Sequence, residues 1–130
     1  MNQFVRAAQA LSDPTRVRVL HLLMQRECCV CEVMDVLGIS QANASRYCNT
    51  LKDAGFLALR REGRWKHYFV DRDRCPAALR DMLEAVSHMA QSDDACQLDK
   101  RRLASARRRS NPENGGLAAP TAQTLAQQPA

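Results

Sequence analysis

Val30-Cys31-Glu32-Val33-Met34-Asp35-Val36-Leu37-Gly38-Ile39-Ser40-Gln41-Ala42-Asn43-Ala44-Ser45-Arg46 is the stretch that decides the fold. Val30, Val33, Met34 and Leu37 recur at helical spacing, which predicts the apolar face of a short helix. Gly38 ends it as a left-handed residue past a helix C-terminus does. Ser40 is a good N-cap for a second helix over about residues 41–54, closed by Gly55. Ala44, Cys48 and Leu51 give that helix a narrow buried face. Gln41, Asn43, Ser45, Arg46, Asn49 and Lys52 lie on the other side, and their side chains can donate to phosphates and base edges. Two helices joined by a short glycine-containing turn predict a helix-turn-helix, whose second helix enters the major groove of DNA.

Downstream, residues 56–59 and 65–70 read as two strands around Arg60-Arg61-Glu62-Gly63-Arg64, a hairpin with glycine near its tip. Arg61, Arg64 and Lys66 would make this hairpin a wing that reaches phosphates or a narrow minor groove. The charge distribution agrees: residues 41–74 carry eight basic and four acidic side chains, net +4, while residues 75–99 are net −4. A basic folded segment is the electrostatic footprint of a phosphate-backbone binder. Leu79, Met82, Leu83, Val86 and Met89 then define a helix over residues 76–90. It is too apolar for so small a domain to bury alone, so part of it is expected to meet a second subunit. The first helix, with Phe4, Val5, Ala8 and Leu11, is the natural partner surface. Asp13 and Pro14 open a second helix that runs to about Gln25.

Upstream of the helix-turn-helix lies Arg26-Glu27-Cys28-Cys29-Val30-Cys31-Glu32-Val33, with three of the six cysteines in four positions. Thiols this close cannot cross-link distant segments usefully, and three soft donors together suit a soft metal or metalloid. The cluster is expected at the first turn of the third helix, where thiolates are favoured. No apolar run reaches the roughly 18–20 residues needed to span a bilayer, and no secretory signal is recognisable. A cytoplasmic protein with reduced thiols and no membrane contact is therefore expected. Residues 1–91 read as one DNA-binding and dimerisation domain. Residues 92–104 read as a helical extension containing Cys96, and residues 105–130, with Arg107-Arg108-Arg109, as a disordered tail.

Four patterns together resemble the ArsR/SmtB metalloregulatory repressors, over roughly residues 3–90. Ala10-Leu11-Ser12-Asp13-Pro14-Thr15-Arg16 resembles the start of the family's second helix. Glu27-Cys28-Cys29-Val30-Cys31-Glu32-Val33 is similar to the metal box of the arsenic-responsive branch. Residues 40–46 with 51–55 resemble the DNA-reading helix, and Arg61-Glu62-Gly63-Arg64 with Tyr68 the wing. The resemblance implies a mainly α winged helix-turn-helix with a small β-hairpin and a helical dimer interface. Such a homodimer binds double-stranded operator DNA without a cofactor and releases it on binding arsenite or antimonite through cysteine thiolates. Cys28, Cys29 and Cys31 are the expected ligands. The arsenic box places its third cysteine where this chain has Met34, so the third thiolate comes from Cys28 or Cys96, or the site is two-coordinate. Sensing of cadmium, zinc, copper or oxidants on the same fold is the alternative, and a small thiol reductase a remote one, since Cys28 and Cys31 also form a Cys-x-x-Cys.

Overall fold

The computed structural model describes residues 1–106; the expected tail with its arginine triplet lies outside the described residues. The element order is α1 (Asn2–Ala10), α2 (Pro14–Gln25), β1 (Cys28–Cys29), α3 (Val30–Leu37), α4 (Gln41–Asp53), β2 (Ala58–Glu62), β3 (Trp65–Phe69), α5 (Ala77–Ala90) and α6 (Asp94–Ser105). The strands form one antiparallel sheet in the order β1-β3-β2.

Local chemistry accounts for the boundaries. The Asp13 carboxylate accepts a hydrogen bond from the Arg16 amide at 2.9 Å, and Pro14 occupies the first position of α2. Gly38 takes φ +69 after α3, where a side chain would be strained. Ser40 Oγ accepts from the Asn43 amide at 3.1 Å and starts α4. A three-residue turn thus sets the angle between α3 and α4. Gly55 closes the other end at φ +103, and a Cβ there would come within 2.9 Å of the Gln3 side chain and 3.0 Å of Leu79. This close approach seats the end of α4 against α1 and brings Gly55 beside Leu79 of α5.

Leu20, Leu22 and Leu23 of α2, Val33 of α3, Leu51 of α4, Phe56, Tyr68 of β3, and Leu79 and Leu83 of α5 form the centre of the core. Side chains at three- and four-residue spacing on each helix converge there, as an amphipathic stripe requires. α6 lies across α2 and α3. It buries Cys96, Asp99 and Leu103, and Arg18 of α2 binds the fully buried Asp99 carboxylate through two hydrogen bonds of 2.9 Å.

Three local expectations are corrected. The thiol cluster does not lie wholly in the first turn of α3. Cys28 and Cys29 form the short strand β1, opposite Tyr68 and His67, and only Cys31 is helical. The first hairpin strand runs over Ala58–Glu62, two residues later than expected, because Phe56 and Leu57 are claimed by the core. Its turn is the two-residue loop Gly63-Arg64, with Gly63 at φ +62, the arrangement that suits a right-twisted hairpin. Pro76 is the N-cap of α5 and not its first residue.

Candidate nucleic-acid interface and thiol site

α4 carries the residues expected from sequence to read DNA. Gln41, Arg46 and Asn49 are exposed, and Asn43 and Ser45 are half-buried. Arg46 donates to Asn43 Oδ1 at 2.8 Å, and its guanidinium lies 5.1 Å from the centre of the Tyr47 ring, so the cation is held at the N-terminal half of the helix. Arg61 and Arg64 are exposed on the wing and Lys66 is half-buried. Asn49 carries a second duty. Its Oδ1 accepts from the hydroxyl of buried Tyr68 at 2.7 Å, which ties α4 to β3. The reading helix and wing are thereby fixed relative to one another.

Arg60 belongs to the scaffold. It makes two hydrogen bonds, of 2.9 and 2.8 Å, to the Glu27 carboxylate, joining the wing to the chain just before β1. β1 itself pairs with β3. The thiol segment is therefore hydrogen-bonded directly to the wing.

The three clustered thiols separate into a pair and a single. Cys29 Sγ and Cys31 Sγ lie 2.8 Å apart and both residues are buried. Successive strand residues face opposite sides of a sheet, and Cys28 belongs to the hydrophobic core, with its thiol 3.5 Å from the Arg26 carbonyl. Cys48 and Cys75 are also core residues, and Cys96 lies in α6 near the Arg18–Asp99 pair. No disulfide joins any of the six. Among the described residues, no three His, Cys, Asp or Glu side chains converge as a metal-binding group. Two thiols fit a soft centre, and the third donor is not assembled in this conformation.

Glu32 positions the pair. Its Oε1 accepts from the Cys29 amide at 3.0 Å, in the manner of a capping-box glutamate, and its Oε2 accepts from Arg26 at 2.8 Å. The Glu32 side chain is 2% exposed, so this ion pair is locked. Burial, then the hydrogen bond to Cys31, pushes the Cys29 thiol far up, and burial alone pushes Cys48 up to about 12. Cys29 is accordingly held as a neutral thiol. The role of Glu32 was not anticipated from sequence, although a glutamate three residues into a helix is the signal that would have found it.

A cleft of about 140 Å³ opens beside the thiol pair. Cys29, Val30 and Cys31 form one wall, Gln41 and Ser45 of α4 another, and Arg64, Trp65 and Lys66 of the wing the third. Soft donors and the expected DNA-contacting residues share a single concavity.

A recognition helix, its supporting helix and a basic hairpin define a winged helix-turn-helix DNA-binding protein. Comparison with known proteins agrees. The profile of the bacterial regulatory protein, arsR family, matches residues 13–58. The arsenic resistance transcriptional regulator ArsR2 of Pseudomonas putida is 38% identical over 79 residues, covering 60% of this chain and 68% of that protein. A cadmium resistance transcriptional regulatory protein CadC homolog of Staphylococcus aureus is 39% identical over 64 residues, 48% of this chain and 53% of that one. The chain thus spans about half the length of this cadmium regulator. A homodimeric winged helix-turn-helix DNA-binding domain from Mycobacterium bovis, described as a possible ArsR-family regulator, superposes with TM-score 0.57 at 30% identity over 67% of this chain and 80% of that one. The chain belongs to the ArsR family of transcriptional repressors. It is a DNA-binding regulator and not a thiol reductase. No described helix is long and apolar enough to cross a membrane.

Proposed function

We propose that this chain is a cytoplasmic homodimeric repressor that releases its operator when trivalent arsenic or antimony is held by the thiols at the start of α3. The observation that carries the reading is the Cys29–Cys31 pair, 2.8 Å between sulfurs, in a cleft walled by Gln41, Ser45, Arg64 and Lys66. The arsenic-resistance relative supports the choice of ion.

Gln41, Asn43, Ser45, Arg46 and Asn49 take the base edges and nearby phosphates, and Arg61, Arg64 and Lys66 steady the wing. DNA binding itself needs no cofactor. Residues 1–91 serve as the DNA-binding and dimerisation unit, followed by the helical extension. Phe4 and Val5 of α1 and Met89 of α5, all exposed in the single chain, supply the apolar surface for a second copy.

Cys29 and Cys31 would hold the ion, which supplies strong sulfur bonding to stabilise one conformation over another. Cys28 completes a three-thiolate set once β1 leaves its register with Tyr68 and His67 and turns Cys28 out of the core. β1 is part of the same sheet as the wing, so this movement displaces Arg61, Arg64 and Lys66 relative to α4. Changing occupancy from nearly full to nearly empty takes a preference of about 5.5 kcal/mol between the two states.

A gel-shift titration of an operator fragment with arsenite tests the reading. Wild type releases the DNA. The Cys29→Ser/Cys31→Ser variant stays bound throughout, and its release at wild-type arsenite would rule the switch out.

A further inference from the structure

Arg26 and Glu27 are adjacent, and they tie the thiol segment in opposite directions. Arg26 donates to Glu32 Oε2 at 2.8 Å, a contact that belongs to α3. Glu27 accepts two hydrogen bonds from Arg60 of β2, at 2.9 and 2.8 Å, in the paired geometry of a guanidinium on a carboxylate. β1 and β2 are the edge strands and β3 lies between them, which puts the edges about 10 Å apart at two strand spacings. Arg60 stands opposite His67, and His67 opposite Cys29. Cross-strand neighbours share a face of the sheet, so Arg60 reaches past His67 to meet Glu27 beside β1. The bridge spans the central strand and ties β1 to a strand that is not its neighbour. β1 has two residues, and its ladder consists of Cys28 with Tyr68 and Cys29 with His67. For so short a strand, a side-chain tie at the preceding residue is a large part of what fixes the register.

Resting on the proposed arsenic-responsive reading, in which Cys28 leaves the core to join Cys29 and Cys31, we propose that Glu27 and Arg60 are positioning residues that latch β1 in its DNA-competent register. Glu27 directly precedes Cys28 in the chain. Cys28 therefore turns out of the core only as the Glu27–Arg60 bridge lengthens or opens. The Arg26–Glu32 contact lies on the α3 side and travels with the ion site. Opening the latch is part of the free-energy gap between the two states, so the latch sets how much ion is needed before DNA is released. A ligand shifts such an equilibrium only by its differential affinity for the two states. Removing the latch narrows the gap and leaves the thiols and the DNA-reading side chains in place.

The full chain is compared with Glu27→Ala, Arg60→Met and the double variant, reading the affinity of the free protein for arsenite by calorimetry. The side chains of Glu27 and Arg60 are 18% and 43% exposed, so the bridge is partly screened by solvent. Each single variant is expected to bind arsenite about three- to fivefold more tightly, as loss of a bidentate pair at this exposure allows. The double variant gains no more than either single one, because the same bridge is lost once. A plain charge effect on the thiols behaves differently: loss of Glu27 favours thiolates and loss of Arg60 disfavours them. Opposite shifts in the two single variants therefore overturn the latch, and so does unchanged or weaker arsenite binding in either. Native-state hydrogen exchange across β1 and β3 is the second readout, and both single variants are expected to exchange faster there. If the wild-type chain neither binds arsenite nor releases its operator, the arsenic-responsive reading falls. The exchange measurement then decides the latch alone, and unchanged protection of β1 and β3 in both variants overturns it.

Discussion

α3 and α4 are neighbours in the same motif with opposite relations to solvent. α3 has eight residues and buries six of them, whereas α4 has thirteen and buries three. The shorter helix is wedged between the sheet, α4 and α6, with Arg102 of α6 donating to its Val36 carbonyl at 3.3 Å. The longer one is anchored along a single stripe and leaves its polar side open. A helix packed on nearly every side cannot shift without moving its neighbours, because interiors are close-packed. A helix held along one stripe can present side chains to DNA while its angle is dictated from beneath. On the proposed reading, sensing belongs to the buried helix and DNA reading to the exposed one.

Substitutions on the two helices test this contrast. The largest effect is expected at the stripe itself. Leu51 of α4 is fully buried, so Leu51→Ala should cost about 2–5 kcal/mol in urea unfolding. A loss below 1 kcal/mol would mean that α4 is not anchored there. On the exposed side, Arg46→Ala should leave the unfolding midpoint nearly unchanged and weaken operator binding by about 1–3 kcal/mol in fluorescence anisotropy.

A smaller effect concerns pH. Burial, reinforced by Lys100 for His21 and by Arg60 for His67, holds both histidines below their ordinary pKa of 6.5. Glu62 stands 3.4 Å from His67 Nε2, and Glu27 and Glu32 oppose the shift without reversing it. The unfolded chain then binds more protons than the folded one as pH falls below 6.5, so stability is lost in that direction. The loss is at most about 1.4 kcal/mol per histidine per pH unit. Urea midpoints at pH 7.5 and 5.5 check the sign, and His67→Gln should flatten the slope. The smallest change is expected for Tyr68→Phe. It removes the hydrogen bond to Asn49 and should cost about 0.5–1.5 kcal/mol of stability, with a modest fall in operator affinity because helix and wing lose a tie.

The helices were legible from sequence because their signals are local. Asp13-Pro14, Gly38, Ser40 and Gly55 punctuate the chain within one turn of each boundary, and the apolar spacing between them needs no tertiary knowledge. The wing was legible as a hairpin, but its register was not. Phe56 and Leu57 look like strand residues until the core claims them, and a two-residue turn at Gly63-Arg64 then carries the pairing along the arginines. The thiol site was half legible. Cys29 and Cys31 lie two residues apart and meet across the start of α3. Cys28 is closer in sequence, yet β1 turns it toward the core, because a strand alternates its faces. Strand formation by only two residues depends on β3, nearly forty positions away, and nothing near Cys28 announces it. Asn49 was legible as a polar residue on the open side of α4, while its bond to Tyr68 required the folded wing.

Sensing in α3 and reading in α4 are coupled only if each ligand changes the other's affinity by the same factor. The direct measurement is the affinity of arsenite for the free protein and for the operator-bound protein, set beside the operator affinity with and without arsenite. The two ratios are predicted to be equal and well above tenfold, and to collapse toward one in Cys31→Ser. Equal arsenite affinity on and off DNA would contradict the assignment of α3 as the helix that controls α4.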